Sequence, residues 1–142
     1  MYVLTRDLSL APWLMLDGVW EEAITAVFRS LVAPGMTVVE VGANVGYFTL
    51  LAAELVGPRG RVHAFEPDPE LFELLRDNVE VNAFDHRVTL HRRAVADFHG
   101  EARFHAATRH RGNGSENGGT VLAGIDEVLR HGISELVLRR RV

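Results

Sequence analysis

The chain has 142 residues, the length of one domain, and can bury a core without staples. Apolar residues make up 47% and charged residues 24%, with a net charge of −4; this is an ordinary globular balance and argues against nucleic acid or an anionic membrane surface as partner. Cysteine is absent, which excludes disulfides and thiol chemistry and fits a reducing, cytoplasmic setting.

The N-terminal stretch MYVLTRDLSLAPWLMLDG carries an apolar patch from Leu8 to Leu16, flanked by Asp7 and Asp17 and lacking a basic leader. It reads as neither a signal peptide nor a membrane span. Gly18 to Val32 predicts a helix with Ala23, Ile24, Val27, Phe28 and Leu31 on one buried face. Pro34-Gly35 stops it. Met36 to Val41 is a near-continuous apolar run, the pattern of a strand covered on both faces. Gly46 to Val56 predicts the next helix, closed by Gly57-Pro58-Arg59-Gly60. RVHAF, Arg61 to Phe65, predicts a second strand. Asp68 caps a following helix with Pro69 at its first position and Leu71, Phe72, Leu75 and Val79 as its stripe. RVTL, Arg87 to Leu90, begins a third strand. Beyond Phe98 the pattern weakens. HRGNGSENGGT, residues 110–120, reads as a mobile loop, IDEVLRH (125–131) as a short helix, and ISELVLRRRV (133–142) as a strand start running into three arginines. Strands alternating with helices imply βαβ units, a parallel sheet and right-handed crossovers within a single domain, 1–142.

Chemistry concentrates where the first strand ends. In a parallel sheet, ligands sit beyond the carboxyl ends of the strands, where strand order reverses. Gly42 and Gly46 lie in the first strand-to-helix turn, where glycine permits tight backbone and close ligand approach. Two convenient glycines in a tight turn would look the same. Glu66, closing the next strand about twenty residues on, favours a nucleotide-like ligand, because an acid there holds a ribose diol. The dinucleotide spacing G-x-G-x-x-G is missing. Glu40, just before the turn, would repel a pyrophosphate and attract a cation. S-adenosylmethionine, with a sulfonium and an α-ammonium beside its ribose, suits two such acids better than NAD does.

EVGANVGYF, Glu40 to Phe48, resembles the first motif of class I S-adenosylmethionine-dependent methyltransferases. With HAFEPDP ending at Pro69 and NVEVN at Asn78 to Asn82, it is most similar to the FkbM-type branch, over about Asp17 to Asp97. The resemblance implies a Rossmann-like α/β doubly wound parallel sheet of seven strands with flanking helices, of which this chain holds about four. It implies methyl transfer, often to a hydroxyl of a sugar or natural product, from S-adenosyl-L-methionine to a small-molecule acceptor. Carried over, Glu40, Gly42, Asn44 and Gly46 would line the turn at the methionine part, Glu66 would hold the ribose, and Ala94 to Asp97 would lie near the adenine. Asn78 and Asn82 read as caps and packing groups. No catalytic base is assigned.

The family's Lys-Ile-Asp-x-Glu-Gly motif is missing after ISELVL, where the chain turns to Arg139-Arg140-Arg141-Val142. The expectation is a domain cut short of its last strands, with a basic tail on a small complete domain as the alternative. The histidines at 86, 91, 99, 105 and 110 fit no metal spacing, so no metal site is expected. The arginines from Arg87 to Arg111 read as a solvated face. Competing functions are a non-catalytic S-adenosylmethionine or nucleoside-binding module, an RNA methyltransferase fragment, and a dinucleotide oxidoreductase fragment.

Overall fold

Five consecutive residues, Thr37–Val41, supply the strand β1 around which everything else is arranged. Its Val38 and Val39 are both buried, so each face of the strand meets packed protein. The chain is seen here in a computed structural model, which describes residues 1–95, 100–105, 118–123 and 137–139, with side chains for residues 1–95.

The elements in order are α1 (Ala11–Leu16), α2 (Glu22–Leu31), β1, α3 (Tyr47–Val56), β2 (Arg61–Phe65), α4 (Pro69–Val81), β3 (Val88–His91), β4 (Gly100–His105), β5 (Gly118–Ala123) and β6 (Val137–Arg139). Four strands form one sheet in the order β3-β2-β1-β6, all pairings parallel. β1 is in register with β2 through Thr37↔Arg61 to Val41↔Phe65, and with β6 through Val39↔Val137 to Val41↔Arg139. The chain first works outward from β1 through β2 to β3. It then returns to the opposite side of β1 with β6. Strand order therefore reverses beside β1, and the crevice of a doubly wound sheet lies at its carboxyl end.

Helix α4 has the stripe its sequence predicts, with Leu71, Leu75 and Val79 buried and Phe72 packed against the core. Leu51, Ala52, Ala53 and Val56 of α3 pack with Leu75 and Val79 of α4 on Val38, Val62, Ala64 and Val88. Asp68 caps α4, its Oδ1 accepting from the Glu70 and Leu71 amides at 2.8 and 3.3 Å. On the opposite face of the sheet, Val39 and Phe65 are buried with Val95 against them.

The α2 stripe differs from the expectation. Phe28 is buried, but Ala23, Ile24, Val27 and Leu31 are exposed, and Thr25 and Val32 take the inner positions. A polar contact and an aromatic one decide this. Thr25 Oγ1 donates to the Trp20 carbonyl at 2.7 Å and lies 3.2 Å from Tyr47 Oη, while the Phe28 and Phe48 rings are 5.1 Å apart. Holding those two residues against α3 turns the predicted stripe toward solvent.

The N-terminal stretch contains a helix that periodicity alone did not reveal. Leu10 and Ala11 are buried at the start of α1, and Leu10 joins Val45 and Leu71 in a second apolar cluster with Val3, Leu4 and Trp20 around it. The apolar patch thus covers the core through Leu10 and Ala11, while Leu8, Trp13, Met15 and Leu16 stay exposed. Among the described residues no helix is long and apolar enough to cross a membrane. β4 and β5 pair antiparallel from Gly100↔Ala123 to His105↔Gly118. The last residues of the stretch read as a loop, 118–120, are therefore the start of a strand. Backbone pairing needs no apolar alternation, so Gly118-Gly119 left no signal. The helix expected at 125–131 lies outside the described residues.

Candidate functional site

Three left-handed residues within five set the shape of the turn after β1: Gly42 (φ 78°), Asn44 (φ 55°) and Gly46 (φ 94°). Glycine accepts this region freely, and asparagine is among the few others that do. Amides of Gly42 and Ala43 both donate to the Phe65 carbonyl at 2.9 Å, so the turn is tied to the end of β2. Gly46 then starts α3, with the Leu50 amide donating to its carbonyl at 2.9 Å.

The two glycines have different work. A Cβ on Gly42 would meet nothing within 4 Å, whereas one on Gly46 would lie 2.5 Å from Leu75 Cδ1 and 3.8 Å from Thr49 Oγ1. Gly42 borders open space. Gly46 lets α3 and α4 close on the backbone. We expect Gly42→Ala to show only the strain of its left-handed φ, about 1–2 kcal/mol. Gly46→Ala adds overpacking and should be less stable by about a further 1 kcal/mol, read from paired urea melts.

Asn44 is buried and turned inward. Its Oδ1 accepts from the Val45 amide at 2.7 Å, and its own amide donates to Glu66 Oε2 at 2.7 Å. Glu66 also accepts from the Asp68 amide through Oε1 at 2.8 Å. It is held at the strand end by its amide, which donates to the His91 carbonyl at 3.0 Å. One acceptor site on each oxygen is thus used, out of about four on an ionised carboxylate. Burial pushes the Glu66 carboxyl up to about 7, against the opposing pull of the Asp68 and Asn44 amides.

That shift sets a pH dependence. A carboxyl whose folded pKa lies above its unfolded value contributes stability that is complete below about 4.5 and lost as pH rises through about 7. The span amounts to about 3 kcal/mol at most. Wild type should therefore lose stability relative to Glu66→Gln between pH 5 and 7.5, measured as the difference between their denaturation midpoints. A flat difference would mean that Glu66 is solvated in the folded chain.

Glu40 is buried at the end of β1, and Thr49 Oγ1 donates to its Oε2. Thr49 sits in the first turn of α3 with no exposed surface. Sequence reading missed it, although a lone threonine in the apolar run FTLLAA was a signal. Asn78 is also fully buried. Its Nδ2 donates to the carbonyls of Tyr2 and Val45, each at 2.8 Å, and its Oδ1 accepts from the Tyr2 amide. It joins the N-terminal residues to the glycine turn, a packing role wider than a cap. Asn82 does cap α4, donating to the Asn78 carbonyl at 2.7 Å. Ala94 is half-buried just past β3, and Ala96 and Asp97 lie outside the described residues. Glu40, Gly42, Asn44, Gly46 and Glu66 thus gather at the crevice beside β1.

A family model described as the methyltransferase FkbM domain matches residues 40–133, more than half the chain. The chain belongs to the FkbM methyltransferase domain family. The match begins at Glu40, the first acid of the site. This FkbM domain is 51% identical over 55 residues to the 31-O-demethyl-FK506 methyltransferase FkbM of Streptomyces tacrolimicus, covering 39% of this chain and 19% of that protein. It is also 51% identical over 51 residues to a protein-L-isoaspartate O-methyltransferase of Aeropyrum pernix, covering 36% and 20%. The chain thus spans about a fifth of the length of these curated relatives. In fold it is similar to a SAM-dependent O-methyltransferase from Thermotoga maritima, with a TM-score of 0.50 and 24% identity over 57% of this chain and 32% of that one. The doubly wound class I methyltransferase architecture is therefore the fold of this FkbM domain.

Proposed function

We propose that this chain is the S-adenosylmethionine-binding part of a methyltransferase that acts on a hydroxyl group of a sugar or natural product. The observation that carries the cofactor reading is Glu66. Two backbone amides occupy one acceptor site on each of its oxygens, which leaves a matching pair for a ribose diol. The open space at Gly42 supports close approach of the same ligand to the turn. Glu40 places a buried carboxylate where the methionine part, with its positive charges, would lie. Ala94, just past β3, would border the adenine.

Bound there, S-adenosylmethionine would supply an electrophilic methyl on a sulfonium that leaves as a neutral thioether. The residues of this chain bind and orient it and keep water away. The acceptor oxygen must lose its proton to a base, a role assigned to none of the described residues.

The acceptor reading draws on the family and on the name of the Streptomyces relative. The isoaspartate relatives make a protein carboxylate the competing acceptor. Calorimetry with S-adenosylmethionine, its demethylated product and NAD tests the cofactor: the first two should bind and NAD should give no heat. Tighter binding of NAD would sink the reading of Glu40. Radiolabelled methyl transfer to a hydroxylated macrolide or sugar, set against an isoaspartyl peptide, tests the acceptor, and labelling of the peptide alone would overturn the hydroxyl.

Binding should also release protons. Ribose hydroxyls donating to Glu66 favour its ionised form, and its free pKa is near 7. Affinity should therefore fall as pH drops below about 7, and the binding heat at pH 7 should depend on the ionisation enthalpy of the buffer. Equal heats in phosphate and Tris would mean that Glu66 does not titrate on binding.

A further inference from the structure

We infer that Thr49 is the positioning residue for Glu40 and thereby sets the affinity for the amino-acid end of the cofactor. This inference rests on the proposed cofactor reading. An ionised carboxylate only accepts hydrogen bonds, so each one that turns a particular oxygen inward needs a donor. Thr49 supplies such a donor: its Oγ1 donates to Glu40 Oε2, and both residues are buried.

The placement of Thr49 is determined from two directions. Gly46 caps α3 in a left-handed conformation, which brings the third helical residue over the end of β1. A Cβ at Gly46 would crowd Leu75 Cδ1 at 2.5 Å and not Thr49, whose Cβ would stand at an ordinary contact distance of 3.7 Å. The β-branch of threonine restricts its χ1, so the hydroxyl has few directions to choose from. The second glycine of the turn thus acts on the site indirectly, through the left-handed start of the helix that carries the hydroxyl. Thr49 has no exposed surface and would reach a ligand only through Glu40, so its effect should be confined to the part of the ligand that Glu40 addresses.

The test compares two ligands. S-adenosylhomocysteine carries the amino-acid end, and 5′-methylthioadenosine lacks it while keeping the ribose and adenine. Thr49→Val keeps the shape and removes the donor. It should weaken S-adenosylhomocysteine by about tenfold and leave 5′-methylthioadenosine within about twofold. Thr49→Ser, which restores the hydroxyl, should recover most of the loss. In a Glu40→Gln background, Thr49→Val should have no further ligand-selective effect, and this arm decides the matter if the single variant is too unstable to titrate. Equal weakening of both ligands, or no weakening of either, would overturn the inference while leaving the cofactor reading intact. A wild-type chain that binds neither ligand would overturn the cofactor reading itself.

Discussion

Glu66→Ala should lower the affinity for S-adenosylmethionine by about ten- to a hundredfold, a loss of roughly 1.5–3 kcal/mol from charge-assisted hydrogen bonds to the ribose. The variant also leaves the Asn44 and Asp68 amides without their acceptor. Stability must therefore be measured beside affinity, and titration should be done well below the melting temperature. Glu66→Gln separates the two effects. It keeps one oxygen acceptor and the side-chain volume but loses the charge, so the fold should suffer less than in Glu66→Ala while the ribose contact still weakens. Unchanged affinity in a folded Glu66→Ala chain would reduce Glu66 to a strand-end acid that fastens the glycine turn.

Gly60→Ala should lower stability by about 2–3 kcal/mol. Gly60 is buried where the end of α3 meets the starts of β1 and β2. A Cβ there would lie 2.3 Å from Val56 Cβ and 2.7 Å from the Met36 carbonyl oxygen. One neighbour is backbone and the other is the root of a fully buried side chain, so neither can yield without moving an element. The Arg61 amide, which donates to that same Met36 carbonyl at 3.0 Å, would be displaced with it. The expected fall in melting temperature is on the order of 10 °C. Gly35→Ala is the comparison: its φ is 86° but a Cβ meets nothing within 4 Å. It should show only conformational strain of about 1–2 kcal/mol. A Gly60→Ala chain as stable as wild type would mean that the α3–β2 connection adjusts freely.

Some of this was legible in the residues because the signals were local and strong. The alternation of α3, β2, α4 and β3 follows from periods of 3.6 and 2, from the Asp68-Pro69 cap and from the glycines that end α3. The glycine turn and the acids at the ends of β1 and β2 point to a crevice ligand through their order and spacing alone. The pairing of β6 with β1 agrees with the strand reading at Val137 and Leu138, the end of ISELVL, and extends it to Arg139, while 133–136 lie outside the described residues.

Tertiary structure decided what depends on neighbours distant in the chain. Which face α2 buries was settled by Tyr47 and Phe48, one helix later, against a periodicity that favoured Ile24 and Val27. That Gly42 faces open space and Gly46 faces Leu75 cannot be read from two identical letters. The partner of Glu40, the two amides on Glu66 and the reach of Asn78 to Tyr2 are likewise contacts across strands and helices. Sequence by itself determined the order of the elements from α2 to β3 and the chemical types gathered at the turn, because propensity and spacing are properties of short segments. The burial that raises the Glu66 carboxyl, and the directions in which the site's side chains point, exist only once α3, α4 and the N-terminal segment have closed around the end of β1. Solvent exclusion and hydrogen-bond geometry are set by packing and not by any one segment.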